Sequence, residues 1–158
     1  MVAELRKIDK SLYEMDYNLW VLETVDKLQR RDLDALDWEN LIEEVAALSR
    51  RDKRKLASLL TRLIEHLLKI AYWRSERERN ENHWKGEIVN FRIQIRRLLK
   101  DSPSLSPYLD EIFLEVYGDA AEILSQKSGL SRSIFTQDCI LDLERALEEA
   151  WFPDPAED

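Results

Sequence analysis

Along this chain, apolar side chains return every three or four residues, the period at which an α-helix presents one face. From Tyr13 to Arg31 the recurring positions are Met15, Leu19, Leu22, Val25 and Leu28, which predicts a first helix with Glu14 and Asp16 at its start, where negative charge is favourable. Asp32 to Leu36 reads as a short connection. Asp37 then has the chemistry of a helix cap, because its carboxylate can accept from an unpaired backbone N–H. Trp38, Leu41, Ile42, Val45 and Leu48 open the apolar face that follows.

The polar run Ser49 to Lys55 contains neither Gly nor Pro, so one helix is expected to continue from 37 to about 74, with Ser49 as the place where it would bend. Its later part carries Leu56, Leu59, Leu60, Leu63, Leu67, Ile70 and Ala71, widened by Ile64 and Leu68. A stripe that wide predicts a central helix buried on more than one side. The entirely polar stretch Ser75 to Asn82 is expected to end it. Trp84, Ile88, Phe91, Ile95 and Leu98 then predict a third helix, with Lys85, Arg92, Arg96 and Lys100 on the opposite face.

Asp101 to Pro107 punctuates the chain, with Ser106 and Pro107 read as a cap and a first-turn proline. A fourth helix should bury Leu109, Ile112, Phe113, Val116, Ala120 and Ile123 and stop at Gly129. A last helix is expected over about Leu141 to Ala150, with Trp151 and Phe152 closing the fold ahead of two prolines and an acidic tail. No segment alternates with period two. The expectation is an all-α, single-domain bundle of about five helices over 1–158, with one long central helix, no sheet, and short flexible ends at 1–10 and 153–158.

Composition agrees with long helices: 44% of the 158 residues are hydrophobic and 35% charged, with only three Gly and four Pro. A chain of this size buries roughly 70% of the surface of its unfolded form. Cys139 is the only cysteine, which excludes an internal disulfide framework and a cysteine-based zinc site, and suits a reducing, cytoplasmic compartment. Met1 to Lys10 lacks the apolar stretch of a signal peptide, and no run of 18 apolar residues occurs elsewhere, so no membrane role is expected.

Charge is segregated along the chain. Residues 1–49 carry 6 basic and 12 acidic side chains, residues 50–100 carry 15 and 6, and residues 101–158 carry 3 and 14. The ordinary explanation is that acidic helices lie beside basic ones, at a few tenths of a kcal/mol per exposed pair. A second is a basic face, formed by Arg51, Lys55, Arg62, Lys85, Arg92 and Arg96, that meets an acidic protein partner. A third is nucleic acid, where Arg and Lys would release phosphate counterions, but a pI of about 4.9 and the lack of a nucleic-acid-binding motif oppose it.

Catalytic sets fail mostly on residue supply. With only His66 and His83, a three-histidine metal site cannot form, and Leu63 and Asn80 stand where a di-iron bundle would need Glu. Glu43, Glu44, Glu78, Glu81, Asp119 and Glu122 do not form the double acidic motif of helical nucleotide hydrolases. Three glycines cannot build a phosphate-binding loop. His66, between Leu63 and Ile70, is read first as a hydrogen-bonded core histidine. Together with Glu43 and Glu44 it is also the candidate for acid, base or metal-ligand chemistry. Cys139 has no neighbouring activator in sequence and is expected to be inert. No cofactor is expected.

The five tryptophans, Trp20, Trp38, Trp73, Trp84 and Trp151, lie at or beside apolar stripes, where core filling is their usual role. Trp20 and Val21 nevertheless widen the first helix beyond one face, and surplus apolar surface usually means that another chain covers it.

Asp37-Trp38-Glu39-Asn40-Leu41-Ile42-Glu43-Glu44-Val45, then His66-Leu67-Leu68-Lys69, then Trp84 with Glu87, Ile88 and Arg92, then Leu98-Leu99-Lys100-Asp101-Ser102-Pro103-Ser104-Leu105 follow one another in a distinctive order. In these residues the chain resembles the bacterial domain-of-unknown-function family numbered twenty-nine, over roughly Tyr13 to Phe152. Such sequences tend to have prolines around a cysteine near the end, which Phe135 to Ile140 lacks. The resemblance implies a small helical protein and carries no activity, cofactor or catalytic residue. The reading reached is a non-enzymatic helical module that binds itself or an acidic protein. The contrasting one is a nucleic-acid-associated protein or small metal-dependent hydrolase using the basic face.

Overall fold

A computed structural model describes residues 10–137 and 139–155. The expected flexible ends at 1–10 and 153–158 lie mostly outside that range. The described residues are all helix and connection, with no strand. The α-helices are α1 (Leu12–Met15), α2 (Tyr17–Gln29), α3 (Trp38–Tyr72), α4 (Arg74–Asp101), α5 (Ser106–Ser128), α6 (Arg132–Thr136) and α7 (Leu143–Leu147). Short 3-10 turns occupy Leu33–Ala35 and Pro103–Leu105. The chain divides into two compact units, Met1–Ser49 and Arg50–Asp158.

In the first unit the predicted opening helix is two. Asp16 leaves helical geometry (φ −148°, ψ 88°) and its carboxylate caps α2 by accepting from Leu19 N–H at 2.9 Å. Asp37 caps the next helix as expected, accepting from Asn40 N–H at 3.3 Å. The expected continuity also holds: α3 runs through Ser49 without interruption.

The second unit contains the hydrophobic core. From α3 it takes Leu56, Leu60, Leu63, Ile64, Leu67 and Leu68, all fully buried, as the wide stripe predicted. Ser75 to Asn82 departs from expectation, since it is helical and α4 already begins at Arg74. A polar run of Glu, Arg and Asn without Gly or Pro has no reason to break a helix. The real break is the single residue Trp73 (φ −87°, ψ 71°), whose ring stacks on Trp84 at 5.9 Å.

Leu105, rather than Ser106, precedes α5, with Pro107 in its first turn. Leu109, Ile112, Val116 and Ala120 are buried as predicted. Ile123 is exposed and Phe113 only half-buried, while Tyr117, Ala121 and Leu124 take the inner positions. At 3.6 residues per turn the buried stripe drifts around a long helix, which shifts the inner set toward Tyr117 and Leu124. Gly129 ends α5 in the left-handed region (φ +72°), the geometry expected of it.

The unforeseen α6 contributes the fully buried Phe135, whose carbonyl accepts from the Tyr117 hydroxyl. The final helix is shorter than 141–150. Asp142 caps its start through Arg145 N–H, and the Arg92 guanidinium takes its last carbonyls.

Candidate functional site

The first unit carries helices without a core among its described residues. Among the described residues its buried apolar side chains are Trp20 and Leu36 alone, whereas eleven large apolar ones are exposed: Met15, Tyr17, Leu19, Leu22, Val25, Leu28, Leu33, Trp38, Ile42, Val45 and Leu48. The predicted inner face of the first helix therefore points outward, and Trp38 is not core filler. Leu22, Ile42 and Val45 are 58%, 63% and 59% exposed.

Polar contacts fix the frame that displays these side chains. Trp20 Nε1–H donates to Asp37 Oδ2 at 3.3 Å, and Asn40 Nδ2–H donates to the same oxygen at 2.7 Å. These bonds, led by that from Asn40, hold the Asp37 carboxyl below its ordinary value. The hydroxyls of Tyr13 and Tyr17 donate to the two Glu44 oxygens at 2.6 and 2.9 Å, and the bond to Glu44 pushes the Tyr13 phenol up to about 12. Between α2 and the first turns of α3 lies an open groove of about 230 Å³. Trp20, Val21 and Leu28 line one side of it, and Leu41, Val45 and Leu48 the other.

The residues predicted to form a basic face meet different fates. Arg51, Lys55 and Arg62 are exposed. Lys85 pairs with Glu81 at 2.8 Å and lies over the Phe152 ring, and Arg96 pairs with Glu149. Arg92 does not belong to a surface face. It is 3% exposed, and it donates to the carbonyls of Ala146 at 2.9 Å and Glu149 at 3.3 Å. A planar guanidinium with five donors suits the end of a helix, where several carbonyls lack partners.

His66 is half-buried, its Nδ1 2.8 Å from the Arg62 carbonyl and its ring edge-on to Phe91 at 5.3 Å. Burial, then the nearby Lys69 ammonium, lowers its pKa and favours the neutral ring. Glu43 and Glu44 belong to the first unit and His66 to the second, so neither unit assembles the three. Among the described residues no group of three or more His, Cys, Asp or Glu gathers as metal ligands.

Residues 12–152 match the family model described as "Domain of unknown function DUF29". The chain belongs to this family. No curated protein and no solved structure matches it. The DUF29 match spans both units. The segment Asp101 to Leu105 that carried much of the resemblance is the end of α4 and the 3-10 turn before α5. No helix among the described residues is long and apolar enough to cross a membrane.

In this DUF29 chain the sequence reading missed a buried ionic cluster. Glu65, 4% exposed, accepts at one oxygen from Lys127 at 2.6 Å and Lys69 at 3.1 Å. Burial alone would raise the Glu65 carboxyl, but the two ammonium groups outweigh it and hold the pKa below its ordinary value. Its signal was available: a carboxylate between Ile64 and Leu67, inside an uninterrupted apolar stripe, requires a partner. The exposed Cys139 donates to the Leu141 carbonyl at 3.1 Å.

Proposed function

We propose that this DUF29 protein is a non-enzymatic helical interaction module that docks on protein, its own copies included, through the apolar face of its first unit. The observation that carries the reading is the contrast within one chain. The second unit closes over a core that begins at Leu56, while the first leaves its large apolar side chains in solvent. Exposed apolar area on this scale is stabilised by another surface covering it. A cytoplasmic setting suits a chain whose single cysteine is exposed. The nucleic-acid or hydrolase alternative draws less support, because Arg92 is committed to backbone carbonyls and Lys85 and Arg96 have acidic partners.

The test is capture by immobilised full-length chain, wild type against Ile42→Glu, from an extract to which the same protein has been added in labelled form. A captured species retained stoichiometrically by the wild type and lost with Ile42→Glu supports the reading. Equal retention by both proteins, or retention of nuclease-sensitive nucleic acid alone, overturns it.

A further inference from the structure

We infer that the surface covering the first unit is the same face of a second copy, the two α3 helices running antiparallel about a two-fold axis between Ile42 and Val45. This rests on the interaction reading above and adds the occupant and its direction. Trp38, Ile42, Val45 and Leu48 recur at steps of four, three and three, one continuous stripe along the start of α3, and all are exposed. The stripe is self-complementary when reversed: Trp38 meets Leu48 of the second copy, Ile42 meets Val45, and each relation repeats on the other side. An isologous interface requires that property of a surface.

Area and charge both favour a second copy. Seven half-exposed large apolar side chains, Tyr17, Val25 and Leu28 on α2 and Trp38, Ile42, Val45 and Leu48 on α3, at roughly 90 Å² each, present about 630 Å² per copy, within the ~600–1,000 Å² per partner of a stable interface. From Asp32 to Glu44 the chain carries six acids and no base, and from Arg50 to Lys55 five bases and one acid. Antiparallel pairing carries Arg51 and Lys55 of each copy past Trp38 of the other, toward its Asp32 and Asp34, all four being exposed. Parallel pairing would instead set acid on acid and base on base. Electrostatic complementarity thereby selects direction, while the apolar stripe supplies the contact.

Two full-length variants test it: Asp32→Lys with Asp34→Lys, and Arg51→Glu with Lys55→Glu. Circular dichroism first establishes that each retains wild-type helix content, and native mass spectrometry then reads association. The expected result is a wild-type dimer, each variant alone at least tenfold weaker, and a 1:1 heterodimer restored when the two are mixed. Variants that dimerise as tightly as wild type, or a mixture that restores nothing, would overturn the antiparallel arrangement. A monomeric wild type would overturn the second copy as occupant. The interaction reading itself then stands or falls separately, on whether Ile42→Glu abolishes capture of a different protein.

Discussion

The indole N–H of Trp20 reaches across the first unit to the carboxylate of Asp37, 3.3 Å away, the same group that caps α3 through Asn40. One side chain thus serves both as helix cap and as the tie between α2 and α3. In a unit with two buried apolar residues among those described, such a tie has little redundancy behind it.

Asp37→Ala is therefore expected to cost about 1 kcal/mol through the lost cap, with the effect concentrated in the first unit. Hydrogen exchange should show faster exchange over Tyr17–Gln29 and the first turn of α3, with the second unit unchanged. Because the folded-state pKa of Asp37 is lowered, its contribution is present above the unfolded value of 3.8. It is lost as pH falls through the lower folded value. Acidification in that range should loosen the first unit in wild type and leave the already loosened variant little changed.

Glu65→Ala leaves the Lys69 ammonium buried without its carboxylate. Removing one partner of a buried pair costs 3–5 kcal/mol, and with Lys127 half-exposed the low end, about 3 kcal/mol, is expected. For a chain of this size that lowers Tm by roughly 6–12 °C. Glu65→Ala with Lys69→Met, which removes the stranded charge, should recover most of the loss in a thermal melt.

Arg92→Lys keeps the charge and loses the fork that spans the Ala146 and Glu149 carbonyls. Limited proteolysis should then cut the segment from Cys139 to Phe152 faster than in wild type. Arg62→Lys, at an exposed position, should not change the cleavage pattern.

Much of the fold was legible because it follows from local chemistry. Asp37 as a cap, the unbroken passage of α3 through Ser49, and Gly129 as a terminator each depend on a few neighbouring residues. The polar stretch Ser75 to Asn82 looks like a break but is helical, because hydrophilicity alone does not end a helix and only Gly, Pro or tertiary strain would. Periodicity also identifies which face is apolar without saying what covers it. Leu22 and Val45 therefore read like Leu63 and Leu67, yet the first pair is solvent-exposed and the second fully buried. Arg92 looks in sequence like one of a row of basic positions on α4, because the carbonyls it serves lie more than fifty residues away.

Sedimentation equilibrium of the purified full-length chain, wild type beside Val45→Glu, over a wide concentration range tests the central claim most directly. The account predicts a concentration-dependent dimer mass for the wild type and a monomer for Val45→Glu with unchanged helix content. Identical masses for the two proteins at every concentration would contradict self-association through the first unit's apolar face.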